Sequence, residues 1–184
     1  MRRLVPSLAV AVLAVALVAL LVFGVLQTAD DTSIDQAVAR GEHPTAPDTT
    51  LPLLDGSGSR ALADHRGRWV VVNFFASWCH PCENEAPLLN RLQRRLGDRG
   101  SVVGVAYNDL TEDARGFVRD YEIAFPVVRD VEDDLGDAYG VTGLPETFVV
   151  DPTGRIVALK RSEITREWVS EVLDPLLAER QRAG

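Results

Sequence analysis

The distribution of apolar residues divides the chain into three stretches. From Leu4 to Leu26 no residue is charged, and nearly every position is Ala, Val, Leu or Phe. A helix needs about 20 residues to cross a bilayer, so this run is long enough for one span. Residues 27–45 are small and polar with little apolar periodicity, which reads as a tether, and Pro44, Pro47 and Pro52 exclude a helix there. The third stretch has the pattern of a folded domain. Leu51-Pro52-Leu53-Leu54 before Asp55-Gly56-Ser57-Gly58 predicts a short edge strand and a turn, and Ala61 to His65 one helical turn.

Val70 to Phe75 is a continuous, β-branched apolar run, the pattern of a strand covered on both faces. A helix is expected from Cys79 to Leu96, kinked near Pro87. Ser101 to Tyr107 predicts a second buried strand, completing a βαβ unit. Asp109-Leu110-Thr111-Glu112 has the outline of a capping box, with Asp in place of Ser or Thr, and opens a helix to about Tyr121. Phe125 to Val128 predicts a third strand, and Glu132 to Tyr139 a short helix ended by Gly140. Thr147 to Val150 and Arg155 to Leu159 should pair as a hairpin across Asp151-Pro152-Thr153-Gly154. A last helix, from about Thr165 to Arg180, aligns Trp168, Val169, Val172, Leu173, Leu176 and Leu177 on one face and bends at Pro175.

Charge sets the topology. Arg2 and Arg3 precede the apolar run and Asp30, Asp31 and Asp35 follow it, so the N-terminus stays in the cytoplasm and the rest lies outside. A cleaved signal peptide is the rival reading. Its apolar core would be only about 7–15 residues, and a cut after Ala29 would put Gln27 where a small side chain is needed. No cysteine near the end of the run could carry a lipid anchor. The expected organisation is a cytoplasmic N-terminus and single-pass signal-anchor over 1–29, a tether over 30–45 and a domain over 46–184, exported to a compartment where disulfides persist. The formal net charge is −8, and since residues 1–29 carry only Arg2 and Arg3, the remainder carries −10. Such a domain is a poor partner for nucleic acid and for anionic headgroups.

The chemistry lies in Trp78-Cys79-His80-Pro81-Cys82, which holds the only two cysteines. A strand that delivers Cys-x-x-Cys to the start of a helix is suited to thiol–disulfide exchange, because the helix end stabilises a thiolate. Cys79 is the attacking position and Cys82, one turn on, the resolving one. His80 is a nearby donor whose cationic form would lower the Cys79 pKa further and make the couple more oxidising. Pro81 suits a first turn that has no use for its missing N–H.

Other chemistries compete. A purely structural disulfide would close too short a loop to stabilise much. A structural zinc would have to draw on His43, His65 and His80 to complete four ligands. Covalent haem would need His directly after the second cysteine, where Glu83 stands. A peroxide-reducing thiol would want Thr at Ala76. No metal is expected, and no cofactor beyond the redox-active Cys79–Cys82 disulfide.

The run from Asn73 through Pro87 resembles the active-site block of the thioredoxin superfamily, and more narrowly the membrane-anchored TlpA/ResA/DsbE(CcmG)-like thiol:disulfide interchange proteins. Ala46-Pro47-Asp48 with Leu51 to Gly56 is similar to the N-terminal extension those proteins share with peroxiredoxin-like domains. Gly140 to Phe148 resembles their cis-proline loop, and Asp151 to Ile156 the hairpin after it. The likeness covers roughly residues 44–180. It implies a thioredoxin-like α/β fold, with a mixed sheet of four or five strands between helices and an N-terminal β-hairpin extension. It also implies that Pro145 is cis and faces the cysteines, that the Leu144 backbone pairs with substrate, and that Trp78 shapes the surface beside the sulfurs. Ordinary thioredoxins carry a titratable Asp where this chain has Asn73, so a proton shuttle must come from elsewhere, with Glu146 and Glu85 as candidates.

The function implied is an extracytoplasmic thiol:disulfide oxidoreductase that reduces exported clients. Apocytochrome c, met during cytochrome c maturation, is one such client, and the electrons would come from a membrane thiol transporter. A non-catalytic binding module, a general oxidant and a thiol peroxidase are the alternatives.

Overall fold

A computed structural model describes residues 14–20 and 33–182. The chain divides into two compact units, Met1–Ser33 and Ile34–Gly184. In the first, residues 14–20 are helical, with Val15, Leu17, Val18 and Leu20 exposed. Most of the expected span Leu4–Leu26 lies outside the described residues, and among those described no helix is long and apolar enough to cross a membrane.

The second unit is built on β3 (Trp69–Phe75), buried at every position. Before it come a helix α1 (Ser33–Ala39), the two-stranded hairpin β1 (Leu51–Pro52) and β2 (Ser59–Arg60), and a 3-10 turn over Leu62–His65. After it come α2 (His80–Leu96), β4 (Gly100–Tyr107), α3 (Thr111–Asp120), β5 (Val127–Asp130), α4 (Asp134–Tyr139), β6 (Glu146–Val150) and β7 (Ile156–Lys160). Five strands form one sheet in the order β5-β4-β3-β6-β7. β3 runs parallel to β4 (Phe75 opposite Ala106) and antiparallel to β6 (Phe74 opposite Glu146), so the sheet is mixed. The N-terminal hairpin joins its edge through a bridge from Leu53 to Val128.

Alternation along β3 divides the core. Val71 and Phe75 face the layer formed by α2, α3 and the C-terminal helix, which contributes Leu89, Leu92, Phe117 and Leu173. Val72 and Phe74 face the opposite layer with Leu135, Tyr139 and Phe148, and Ile34 and Val38 of α1 pack there. Phe74 is central on that side, its ring centroid 5.4 Å from Tyr139 and 5.9 Å from Phe148. α4 approaches so closely that a Cβ on Gly136 would lie 2.2 Å from Tyr107 Cε2.

Four expectations need correction. The segment read as a tether contains α1, whose few apolar residues give a weak pattern; it is held by burial of Ala37 and by Asp35 pairing with Arg161. The capping box at Asp109 does not form: the N-cap of α3 is Leu110 with no side-chain cap bond, because the Asp109 carboxylate is engaged elsewhere. The third strand is Val127–Asp130, two residues later than expected. The last helix is not continuous. It runs as α5 (Arg166–Trp168), a π-helical turn (Val169–Leu173) and α6 (Asp174–Arg182), and Pro175, which cannot donate to the carbonyl of Glu171, is the second residue after the π turn. Val169, Leu173 and Leu177 are nonetheless buried as the apolar face requires.

Candidate active site

Where β3 ends, the chain passes through buried Ala76 and reaches Cys79, the N-cap of α2. Cys79 is bonded to Cys82 with a Cα–Cα distance of 5.3 Å, and both are buried. Cys79 therefore stands one position before the first helical turn rather than inside it. Its sulfur occupies the place of an N-cap oxygen: the Cys82 N–H donates to Cys79 Sγ at 3.3 Å. That donor and the positive helix end favour a thiolate there once the disulfide is reduced. Pro81 fits the first turn as expected.

The β4–α3 loop braces the residues ahead of Cys79. Asp109 accepts from the Ser77 backbone N–H at 2.6 Å and from Ser77 Oγ at 2.8 Å. Trp78 Nε1 donates to the Asn108 carbonyl at 3.1 Å, and Asn108 adopts a φ of 48°. The indole is thus fixed by its N–H while its ring remains 63% exposed. His80 points into solvent, its Nδ1 3.3 Å from the Glu83 carboxylate, so the ring is turned to an acid rather than aimed at the sulfurs.

Glu85 sits on the same helix face three residues after Cys82, which makes the two side chains neighbours. Its carboxylate is 1% exposed, accepting from Asn73 Nδ2 and from the Ile164 N–H, each at 2.7 Å. Burial pushes its pKa up to about 7, a rise moderated by those two donors and reinforced by the charge of Glu163. Asn73, where ordinary thioredoxins titrate, instead donates to Glu85 and to Thr147 Oγ1.

Leu144–Pro145 is a cis peptide bond. It adjoins the end of β3, since Glu146 pairs with Phe74, and Leu144 packs against the cluster that contains both cysteines. Glu146 is also buried, but strand alternation turns it to the other face of the sheet, away from α2 and toward Phe74 and Phe148. There its Oε1 accepts from the Thr142 N–H and hydroxyl at 3.1 Å and from the Gly143 N–H at 3.2 Å, and Arg161 donates to Oε2. Arg161 also donates to Asp35 and to the Gly140 carbonyl, and lies over the Phe148 ring. The two candidate carboxylates are thus separated. Glu85 lies under the cysteines, and Glu146 clamps the loop that carries Leu144 and Pro145.

Sequence reasoning missed Asp109, Asn108, Arg161 and Asp35. Asp109 and Asn108 stood in what looked like an ordinary turn and helix cap. Arg161 follows a strand, and its two partners are 15 and 126 residues away, a pairing no local pattern encodes.

Residues 43–159 match the AhpC/TSA family. The chain is 35% identical over 141 residues to the thiol-disulfide oxidoreductase ResA of Geobacillus thermodenitrificans, covering 76% of this chain and 79% of that one. It is 36% identical over 157 residues to the thiol:disulfide interchange protein HelX of Rhodobacter capsulatus, covering 83% and 85%. Among solved structures, a Chlorobium tepidum protein assigned as thiol:disulfide interchange protein DsbE superposes with a TM-score of 0.67 at 30% identity, covering 74% of this chain and 95% of that one. The buried Cys-x-x-Cys at a helix N-cap and these likenesses agree: the chain belongs to the AhpC/TSA family, as a thioredoxin-like thiol-disulfide oxidoreductase of the ResA/DsbE type.

Proposed function

We propose that this protein is a membrane-anchored reductase acting outside the cytoplasmic membrane on disulfides of exported proteins, apocytochrome c among them, with a membrane thiol transporter as electron donor. The observation that carries the exchange chemistry is the buried Glu85 carboxyl, one helical turn on from Cys82, whose pKa burial pushes up to about 7 so that it can accept the Cys82 proton near neutral pH. In the reduced protein the Cys79 thiolate attacks one sulfur of the client disulfide. The client's other sulfur leaves as a thiolate and is protonated, and a mixed disulfide to Cys79 remains. Glu85 then takes the proton of Cys82. The Cys82 thiolate attacks Cys79, the second client thiolate departs, and the protein is left oxidised with two electrons transferred. Asn73 suits both states of Glu85. Its amide N–H donates to the carboxylate, and a rotated amide would offer its oxygen to the protonated acid.

His80, paired outward with Glu83, gives little support to a strong oxidant. The apolar run Leu4–Leu26 with Arg2 and Arg3 before it supports the anchor and its orientation. The resemblance of Gly140 to Phe148 to the DsbE branch supports apocytochrome c as client. The test is capture. With Cys82→Ala the mixed disulfide on Cys79 cannot resolve, and identifying the trapped proteins should return apocytochrome c. If other exported proteins dominate and apocytochrome is missing, the client assignment falls. Cys79→Ala separates enzyme from binding module, because full function without that sulfur would leave only a scaffold.

A further inference from the structure

Within the folded unit the large apolar side chains left exposed among the described residues are Trp78, Leu110 and Val131, at 63%, 72% and 52%. They come from three separate loops, yet all three line one cavity of about 510 Å³. Scattered exposed apolar residues need no explanation, but their convergence on one concavity does. The concavity adjoins the redox centre, because Trp78 is the residue before Cys79 and is held at the cavity wall by its bond to the Asn108 carbonyl. Its charges are one-sided: Asp109, Asp113, Asp130 and Asp133 line it against a single cation, Arg129. Asp109 is bound to Ser77, Asp130 caps α4 through the Leu135 and Gly136 N–H groups, and Arg129 donates to Thr111, so these groups are fixed in place. Asp113 and Asp133 make no ion pair among the described residues.

We infer that this groove between the β4–α3 and β5–α4 loops is a docking site for a client segment that carries an apolar side chain beside lysine or arginine close to its disulfide. Any client joined to Cys79 must lie against Trp78, so its neighbouring residues fall within reach of Leu110 and Val131. An acidic client segment would meet like charge there, and complementary charge acts mainly through encounter rate and partner choice. The inference rests on the reductase reading for its consequence in turnover, but not for binding itself.

The test uses the full chain in nonionic detergent and two sets of short peptides, apolar–basic and apolar–acidic. Each set is made once with a disulfide and once with serine in place of cysteine. The serine peptides should bind the oxidised chain with a preference of about tenfold for the basic set at low ionic strength, collapsing near about 0.5 M salt. The L110S/V131S variant should weaken both sets, and D113K/D133N should abolish the charge preference alone. Equal affinity for both sets, or a preference unchanged in these variants, overturns the inference. In the exchange arm, the rate for the basic disulfide peptide relative to glutathione disulfide should fall about tenfold in L110S/V131S. Preferential binding without reduction of any disulfide would sink the reductase reading and leave the groove standing. Reduction of glutathione disulfide with no discrimination between the peptides would do the opposite.

Discussion

Asn73 Nδ2 donates to Glu85 Oε1 at 2.7 Å, joining the central strand to the helix that carries both cysteines through two side chains that are almost wholly buried. The bond holds a titratable carboxyl next to Cys82 in an apolar layer, and burial lifts its pKa from 4.5 to about 7. In the unfolded chain the same group ionises in the ordinary range. Between those two values the native state binds more protons than the unfolded state, so stability falls as pH rises through the window from 4.5 to about 7. The loss amounts to about 3 kcal/mol once both states are ionised.

Glu85→Gln removes that titration. The variant should match the parent near pH 4 and exceed it in denaturant at pH 8 by about 1–3 kcal/mol. Its client-reduction rate should drop about 10- to 100-fold, and the rise in rate near pH 7 should disappear from the profile. A Glu85→Gln protein that keeps the parental pH profile would remove Glu85 as the proton acceptor.

The Cys82 N–H donating to Cys79 Sγ gives a second expectation. Reduction frees a thiolate at a helix N-cap, where the donor and the helix end stabilise it, and the disulfide forgoes that stabilisation. The reduced protein should therefore resist denaturant better than the oxidised one at neutral pH, with the gap narrowing as Cys79 is protonated in acid. Paired denaturation curves, with thiolate absorbance followed in parallel, check both parts. A more stable oxidised form would mean that the sulfur is not activated by the helix end.

Much of this architecture was legible because its signals are local. The apolar run Val70–Phe75, the Cys-x-x-Cys before a helix and the Pro-Gly turn at Asp151–Gly154 each act within a few residues, and each element forms close to where its pattern lies. Glu85 and Glu146 looked alike as candidates because sequence gives no sheet face for a residue whose strand register is unknown. Pairing of Glu146 with Phe74 decides it, and that contact spans 72 positions in the chain. The helix α1 was hidden for a related reason. Its attachment rests on three small apolar contacts, Ile34, Ala37 and Val38, and on the ion pair from Asp35 to Arg161, 126 residues away, so its own apolar pattern stays faint.

That ion pair has a measurable consequence. Arg161 is the cation facing the buried carboxylate of Glu146, and the same guanidinium reaches Asp35 on α1. Arg161→Ala would leave Glu146 buried with neutral donors only, so a loss of about 3–5 kcal/mol is expected. Asp35→Asn should cost about 1 kcal/mol or less, because the Asp35 side chain is one-third exposed and the pair is partly screened by water. Urea unfolding of the full chain in nonionic detergent distinguishes the two. Equal losses would mean that Glu146 does not depend on this arginine.

Asp109 offers the most direct test of how the catalytic turn is held. Its two oxygens accept from the Ser77 N–H and hydroxyl, two residues before Cys79. Asp109→Ala leaves a part-buried backbone donor without a partner, at a cost of about 1–3 kcal/mol. Asp109→Asn keeps one acceptor for the N–H and offers an amide donor to Ser77 Oγ, so it should retain more than half of that stability. If the loop positions Cys79 for attack, Asp109→Ala also slows exchange with glutathione disulfide, and Asp109→Asn restores most of the rate. A stability loss with an unchanged exchange rate would show that the brace serves the fold and not the reaction.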